Sequence, residues 1–197
     1  MTPTQLGEKE KIILLKAARE SIVKGFRGAG TEPVANNLAP SLKEARGAFV
    51  TLTIKCSLRG CVGYIEPVAP LYQTVAQAAQ AAAFEDTRFF PLTEGELSEV
   101  EIEISALTPA RHVSSWREIE LGRHGIIMSK YGRRALFLPQ VAPENGWDLA
   151  TTLSHLSMKA GLNPDDWREG ADFQVFEAEV FNEKEIKPLL APQTAPA

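Results

Sequence analysis

A chain of 197 residues, 44% hydrophobic and 23% charged, carries enough apolar material for one domain with its own core and room for a smaller lobe. Its formal net charge of −4 argues against nucleic-acid binding through a basic face, and two cysteines are too few for a secreted disulfide framework. The leading MTPTQLGEKEKIILL lacks signal-peptide order and no apolar run approaches membrane-spanning length, so a cytoplasmic chain with reduced thiols and no membrane contact is expected.

The first expected element is an amphipathic helix over about Leu6 to Lys24. Leu14, Leu15, Ala18 and Ile22 share one face at three- and four-residue spacing. Gly25 to Pro40 reads as a long loop. Ala48, Val50, Leu52 and Ile54 alternate with more polar neighbours as a strand, Lys55 to Ser57 turns it, and Leu58 to Ile65 returns. Leu71 to about Phe84 is an alanine-rich helix able to pack closely on a sheet. Thr93 and Glu96 form a capping box on a short helix, because Val100, Ile102, Ile104 and Ala106 alternate directly after it.

Ser115 and Glu118 repeat the capping-box pattern. Ile126 to Lys130 and Arg134 to Leu138 are short strands around Tyr131-Gly132. Trp147 to Ala160 forms a helix with Leu149, Leu153, Leu156 and Ala160 inward, closed by Gly161 with Leu162 as the contact beyond it. Phe176, Ala178 and Val180 mark one last strand. Residues 187–197 read as a poorly ordered tail after a domain over 6–186. Interspersed helices and hairpins predict an α+β fold.

The densest concentration of chemistry is Leu58 to Pro67, LRGCVGYIEP. Gly60 and Gly63 bracket Cys61 and can let a ligand approach the main chain. Arg59 or Arg88 beside the sulfur would favour the thiolate, which is the nucleophile. Strand alternation puts Arg59, Cys61 and Gly63 on one face, provided no bulge intervenes. The competing reading of Cys61 is a small buried hydrophobe. Asp86 and Arg88 fit an ion pair ending the alanine-rich helix, while Arg88 also suits a carboxylate or phosphate. His112, His124 and His155 have no metal-ligand spacing, and no CxxC or HExxH occurs, so no metal is expected. Gln140, Asn145 and Trp147 surround a Pro-containing loop able to form a cleft wall. Glu101 and Glu103 read as a solvated strand face.

LRGCVGYIEP, AQAAAFEDTRFFPLTEGEL, EIEISALTP, LGRHGIIM, LFLPQVAPENGWD and MKAGL, in this order from about Gly47 to Phe181, resemble the AMMECR domain family. This is the family of the AMME-syndrome chromosomal-region protein, whose bacterial and archaeal members are called protein A of the AmmeMemoRadiSam system. The resemblance implies a two-lobed single domain of α+β class, mainly antiparallel sheet flanked by helices, with a smaller second lobe and with the LRGC segment lining a cleft. It implies a Memo-type protein and a radical-SAM enzyme as partners, and it names no reaction and no cofactor. His124, inside LGRHGIIM, becomes the best candidate for a base. Val62, Tyr64 and Thr87 depart from the family pattern. Ser157 stands where many members carry a second cysteine, which weakens any two-thiol mechanism. Cys56 falls at a variable turn position.

Two readings of function follow. In the first the chain is a cysteine-dependent enzyme, with Cys61 and His124 catalytic and Arg59, Gly60, Gly63, Arg88, Gln140 and Trp147 binding substrate. In the second it is a non-catalytic adaptor that binds a small-molecule or peptide ligand, or a partner, through the same cleft. A third, RNA modification within a complex, rests on the radical-SAM association alone, since the charge balance does not support direct RNA binding.

Overall fold

The computed structural model describes residues 5–28 and 38–185. They form two compact units, the larger from residues 5–28, 38–107 and 179–185 and the smaller from residues 108–178. The tail expected at 187–197 and most of the loop expected at 25–40 lie outside the described residues.

In the larger unit, α1 (Glu8–Gly25) buries Leu14, Leu15, Ala18 and Ile22 as its periodicity predicts. A short α2 (Pro40–Lys43) follows, begun by a proline whose missing N–H costs nothing there. Strands β1 (Ala48–Ile54) and β2 (Ser57–Tyr64) form the expected antiparallel hairpin, with Val50 opposite Val62. Helix α3 (Leu71–Phe84) and a 3₁₀ turn at Glu94–Glu96 lead to β3 (Glu101–Leu107), which pairs antiparallel with β1. The sheet order is β2-β1-β3-β8, where β8 spans Ala178–Asn182.

Ala48, Val50 and Leu52 of β1 and Ile102, Ile104 and Ala106 of β3 face Leu71, Val75, Ala78, Ala79 and Ala82 of α3 in one core. Each large aliphatic side chain sealed there contributes about 1.5–3 kcal/mol. Arg19 of α1 forms a two-pronged ion pair with the buried Glu183 just beyond β8, at 2.7 and 2.5 Å.

The smaller unit holds β4 (Arg111–Val113), a 3₁₀ turn at Trp116–Glu118, β5 (Gly125–Lys130), β6 (Arg133–Phe137), α4 (Val141–Asn145), α5 (Leu149–Lys159), a 3₁₀ turn at Asp166–Arg168 and β7 (Asp172–Phe176). Its antiparallel sheet runs β4-β7-β5-β6. Ile126, Met128, Phe173 and Val175 bury one face against Leu153, Leu156 and Trp167. Asp148 caps α5 by accepting the Thr151 N–H at 2.8 Å. Gly161 and Leu162 close the helix with N–H groups on Met158 and Ser157.

Three expectations need correction. The single last strand is two strands in two sheets, β7 and β8, separated at Glu177. Changing sheets shifts the buried phase, so Phe181 is buried and Val180 is exposed. Trp147 lies outside α5, which starts after the Asp148 cap. The short α4 fell within a segment read as a loop, and α2 and β4 fell where no element was expected, because three to five residues give periodicity too little length.

Candidate functional site

Positions Cys61 and Asp86 to Glu96 meet at the outer edge of β2. The β1–β2 turn uses Lys55 and Cys56, both left-handed with φ of 50° and 64°. The ladder then slips: Thr53 pairs Leu58 and Leu52 pairs Gly60, leaving Arg59 as the extra residue of a bulge. The alternation that was to put Arg59 and Cys61 on one face therefore breaks between them.

Gly60 lies under α3, where a Cβ would collide with the Ala82 carbonyl oxygen. At Gly63 a Cβ would collide with the Phe49 ring. The space beside both glycines is filled by the protein itself, by a helix backbone and by an aromatic ring.

Cys61 is half-buried opposite Thr51 of β1. Its backbone N–H donates to Asp86 Oδ2 at 2.8 Å, and its carbonyl accepts from Arg88 Nη2 at 3.1 Å. These two side chains stand where a neighbouring strand would offer an acceptor and a donor, so they cap the sheet edge at this residue. With its backbone groups turned away from β1, Cys61 forms the closer, non-hydrogen-bonded kind of cross-strand pair with Thr51, whose hydroxyl donates to the Cys61 sulfur at 3.4 Å.

Asp86 and Arg88 form the expected ion pair, two-pronged at 2.9 and 2.7 Å. The Asp86 side chain is 5% exposed and that of Arg88 is 55% exposed. The guanidinium, with the N–H groups of Cys61 and Arg88, holds the Asp86 carboxyl far below the usual carboxylate range. In turn Asp86 foremost, and Cys61 to a smaller extent, favour the charged form of Arg88.

Arg59 is engaged in the same way. Its Nε and Nη2 donate to Glu96 at 2.7 and 3.1 Å, and Nη1 and Nη2 reach the carbonyls of Phe90 and Pro91 at 3.0 and 3.3 Å. Glu96 also accepts from the backbone and hydroxyl of Thr93, the expected capping box. Arg59 first, then Thr93, lowers the Glu96 carboxyl to about 2. The two arginines thus clasp residues 86–96 onto β2.

Held by these bonds, Phe90 projects with 90% of its surface exposed. Sequence reasoning passed over Phe90 and gave Glu96 only its capping role. The available signal was two adjacent aromatics before Pro91 in a loop, where a core needs neither.

The other candidates belong to the smaller unit, as do all three histidines. His124 is 3% exposed, and its Nδ1 accepts the Glu120 N–H at 3.0 Å, so the neutral ring carries its proton on Nε2. Burial, then the nearby Arg111, lowers its pKa. Trp147 stacks on His155 with centroids 4.1 Å apart and planes 8° apart. Gln140 precedes α4, with its buried Oε1 lacking a hydrogen-bond partner. Among the described residues no three His, Cys, Asp or Glu side chains converge as a metal site, and no helix is long and apolar enough to cross a membrane.

The AMMECR1 family profile matches residues 15–181. A protein of Methanopyrus kandleri is 42% identical over 194 residues, covering 91% of this chain and 93% of its own length. One from Methanosarcina acetivorans is 39% identical over 188 residues, covering 91% and 94%. The crystal structure of an uncharacterised protein from Pyrococcus horikoshii superposes with a TM-score of 0.80 at 35% identity, over 87% of this chain and 90% of that one.

Proposed function

Since the chain belongs to the AMMECR1 family, we propose that it works as a binding member of a system with a Memo-type protein and a radical-SAM enzyme, and that the clasped segment 86–96 is its recognition element. One observation carries this reading: the Phe90 backbone is anchored by Arg59 while its ring stays 90% exposed. An aromatic side chain on a fixed backbone loses little entropy on docking, and such residues dominate binding energy at protein interfaces. Cys61 then serves the fold, as the edge residue whose backbone receives Asp86 and Arg88.

The thiol reading keeps one specific support, the Arg88 guanidinium bonded to the Cys61 carbonyl. Against it stands the pairing of both Arg59 and Arg88 with carboxylates, which leaves neither as a dedicated anion holder. Within its own unit Cys61 has no imidazole.

The deciding experiment measures binding of the purified Memo-type protein and radical-SAM enzyme of the same organism to the full chain and to Phe90→Ser. The expected result is binding by at least one partner, weakened about tenfold or more by the substitution with melting unchanged. No binding by either partner, or equal binding by the variant, overturns the proposal. Iodoacetamide labelling followed by peptide mass spectrometry tests the thiol reading alongside. Fast labelling of Cys61 in the folded chain, with a thiolate-like pH dependence lost in Arg88→Ala, would reinstate it.

A further inference from the structure

Strands β4 and β7 part after the pair Val113–Phe173, and a polar recess of about 230 Å³ opens between residues 112–116 and 167–173. All of it belongs to the smaller unit. Pockets for drug-sized ligands hold roughly 300–1,000 Å³, so a ligand here is small. One wall is stiff. Trp116 and Trp167 meet edge to face at 5.0 Å, and the buried Trp167 donates its Nε1–H to Ser154 Oγ at 3.1 Å.

Two opposite charges line this recess, Arg168 and Asp172, and they do not pair with each other. Arg168 lies over Trp167, 4.5 Å from the ring centroid, and gives only its Nε to Asp165, at 2.7 Å. That pair is 60% and 74% exposed, the kind that adds little stability. The Nη1 and Nη2 end of the guanidinium, an edge that matches a carboxylate with two parallel bonds, has no acceptor among the described residues. The Asp172 carboxylate and the Ser114 hydroxyl have no partner among them either. At His112, the Gln174 amide donates to Nε2 at 2.9 Å, which leaves Nδ1–H as a further donor. A lone anion in the recess would meet Asp172 and a lone cation would meet Arg168. A molecule that carries both charges satisfies both walls.

We propose that this recess binds a free α-amino acid. Its carboxylate takes Nη1 and Nη2 of Arg168, its ammonium takes Asp172, and Ser114 and His112 select a small polar side chain. The site does not depend on the Phe90 reading, which concerns the larger unit.

The test offers the common L-amino acids singly to the full chain, read by saturation-transfer NMR and then by titration. A dissociation constant on the order of 1 mM is expected for at least one small polar amino acid. Its binding should weaken about tenfold or more when either charge is blocked, as the N-acetyl derivative or as the carboxamide. Asp172→Asn and Arg168→Gln should each weaken it as much with melting unchanged, since both side chains are exposed. The variants also assign the two ends. Asp172→Asn should bind the free amino acid no better than the N-acetyl derivative, and Arg168→Gln no better than the carboxamide. Failure of every amino acid to bind at about 10 mM overturns the proposal. Equal or tighter binding of a blocked derivative by the unsubstituted chain overturns it too. Binding that either substitution leaves unchanged places the ligand elsewhere and also overturns it.

Discussion

Hairpin β1–β2 turns on Lys55 and Cys56 with φ of 50° and 64°, and hairpin β5–β6 turns on Tyr131 and Gly132 with φ of 52° and 72°. Both are tight turns whose twist suits antiparallel strands, and both place non-glycine residues where glycine or asparagine fits better. From there they diverge. The β5–β6 ladder is regular from Ile126–Phe137 to Lys130–Arg133. The β1–β2 ladder carries the bulge at Arg59, and the segment 86–96 is tied to its outer strand by two arginine–carboxylate pairs. Equal turns say little about what reaches a strand's outer edge; that depends on side chains arriving from about 25–37 residues away in sequence.

Removing the edge cap should give the largest effect. Asp86→Ala deletes the acceptor of the Cys61 N–H and leaves Arg88 without its carboxylate, so it should destabilise the chain by about 2–4 kcal/mol in urea unfolding. A loss under about 0.5 kcal/mol would mean that the β2 edge needs no cap and that the two hairpins are equivalent.

The carboxylate of the second arginine pair is more exposed, 31% for Glu96 against 5% for Asp86, so losing its partner should matter less. Arg59→Ala is expected to cost about 1–2 kcal/mol at neutral pH. Glu96 sits at about 2 in the fold against an ordinary value of 4.5. A carboxyl lowered by folding contributes stability that is complete above its unfolded value and is lost as pH falls toward its folded value. The difference between wild type and Arg59→Ala should therefore shrink between about pH 4.5 and pH 2. A difference that stays constant across that window would place the value of Arg59 in packing rather than in charge.

The smallest effect belongs to the regular hairpin. Tyr131 is 81% exposed in a left-handed conformation, so Tyr131→Asn should stabilise the chain by about 0.5–1 kcal/mol in thermal unfolding. Destabilisation instead would show that the Tyr131 ring, with Lys130 Nζ 4.9 Å from its centroid, supports the hairpin more than its backbone strains it.

Legibility in the sequence followed length and locality. The burial of Leu14, Leu15, Ala18 and Ile22, and that of Val100, Ile102, Ile104 and Ala106, came from periodicity over many residues. The capping box of Thr93 and Glu96 and the Gly161 closure of α5 are local, so a few residues declare them. The Asp86–Arg88 pair was legible for the same reason. Arg59 was not, because alternation assumes an unbroken ladder and a bulge leaves no mark in the strand's own residues. The last strand was misread because its sequence cannot say that Phe176 and Phe181 serve different sheets.

The sequence by itself determined the family, through the resemblance of its ordered motifs, and the α+β class, the amphipathic helices and the two hairpins, through spacing along the chain. Only the tertiary structure decided the employment of the charged residues. Whether a guanidinium awaits a ligand or is already paired depends on carboxylates brought close by folding, and at 2.7 Å from Glu96 and from Asp86 both arginines of the motif are paired. It also decided which strands lie at a sheet edge among the described residues, because an edge is a property of a sheet's neighbours and not of any strand's own residues.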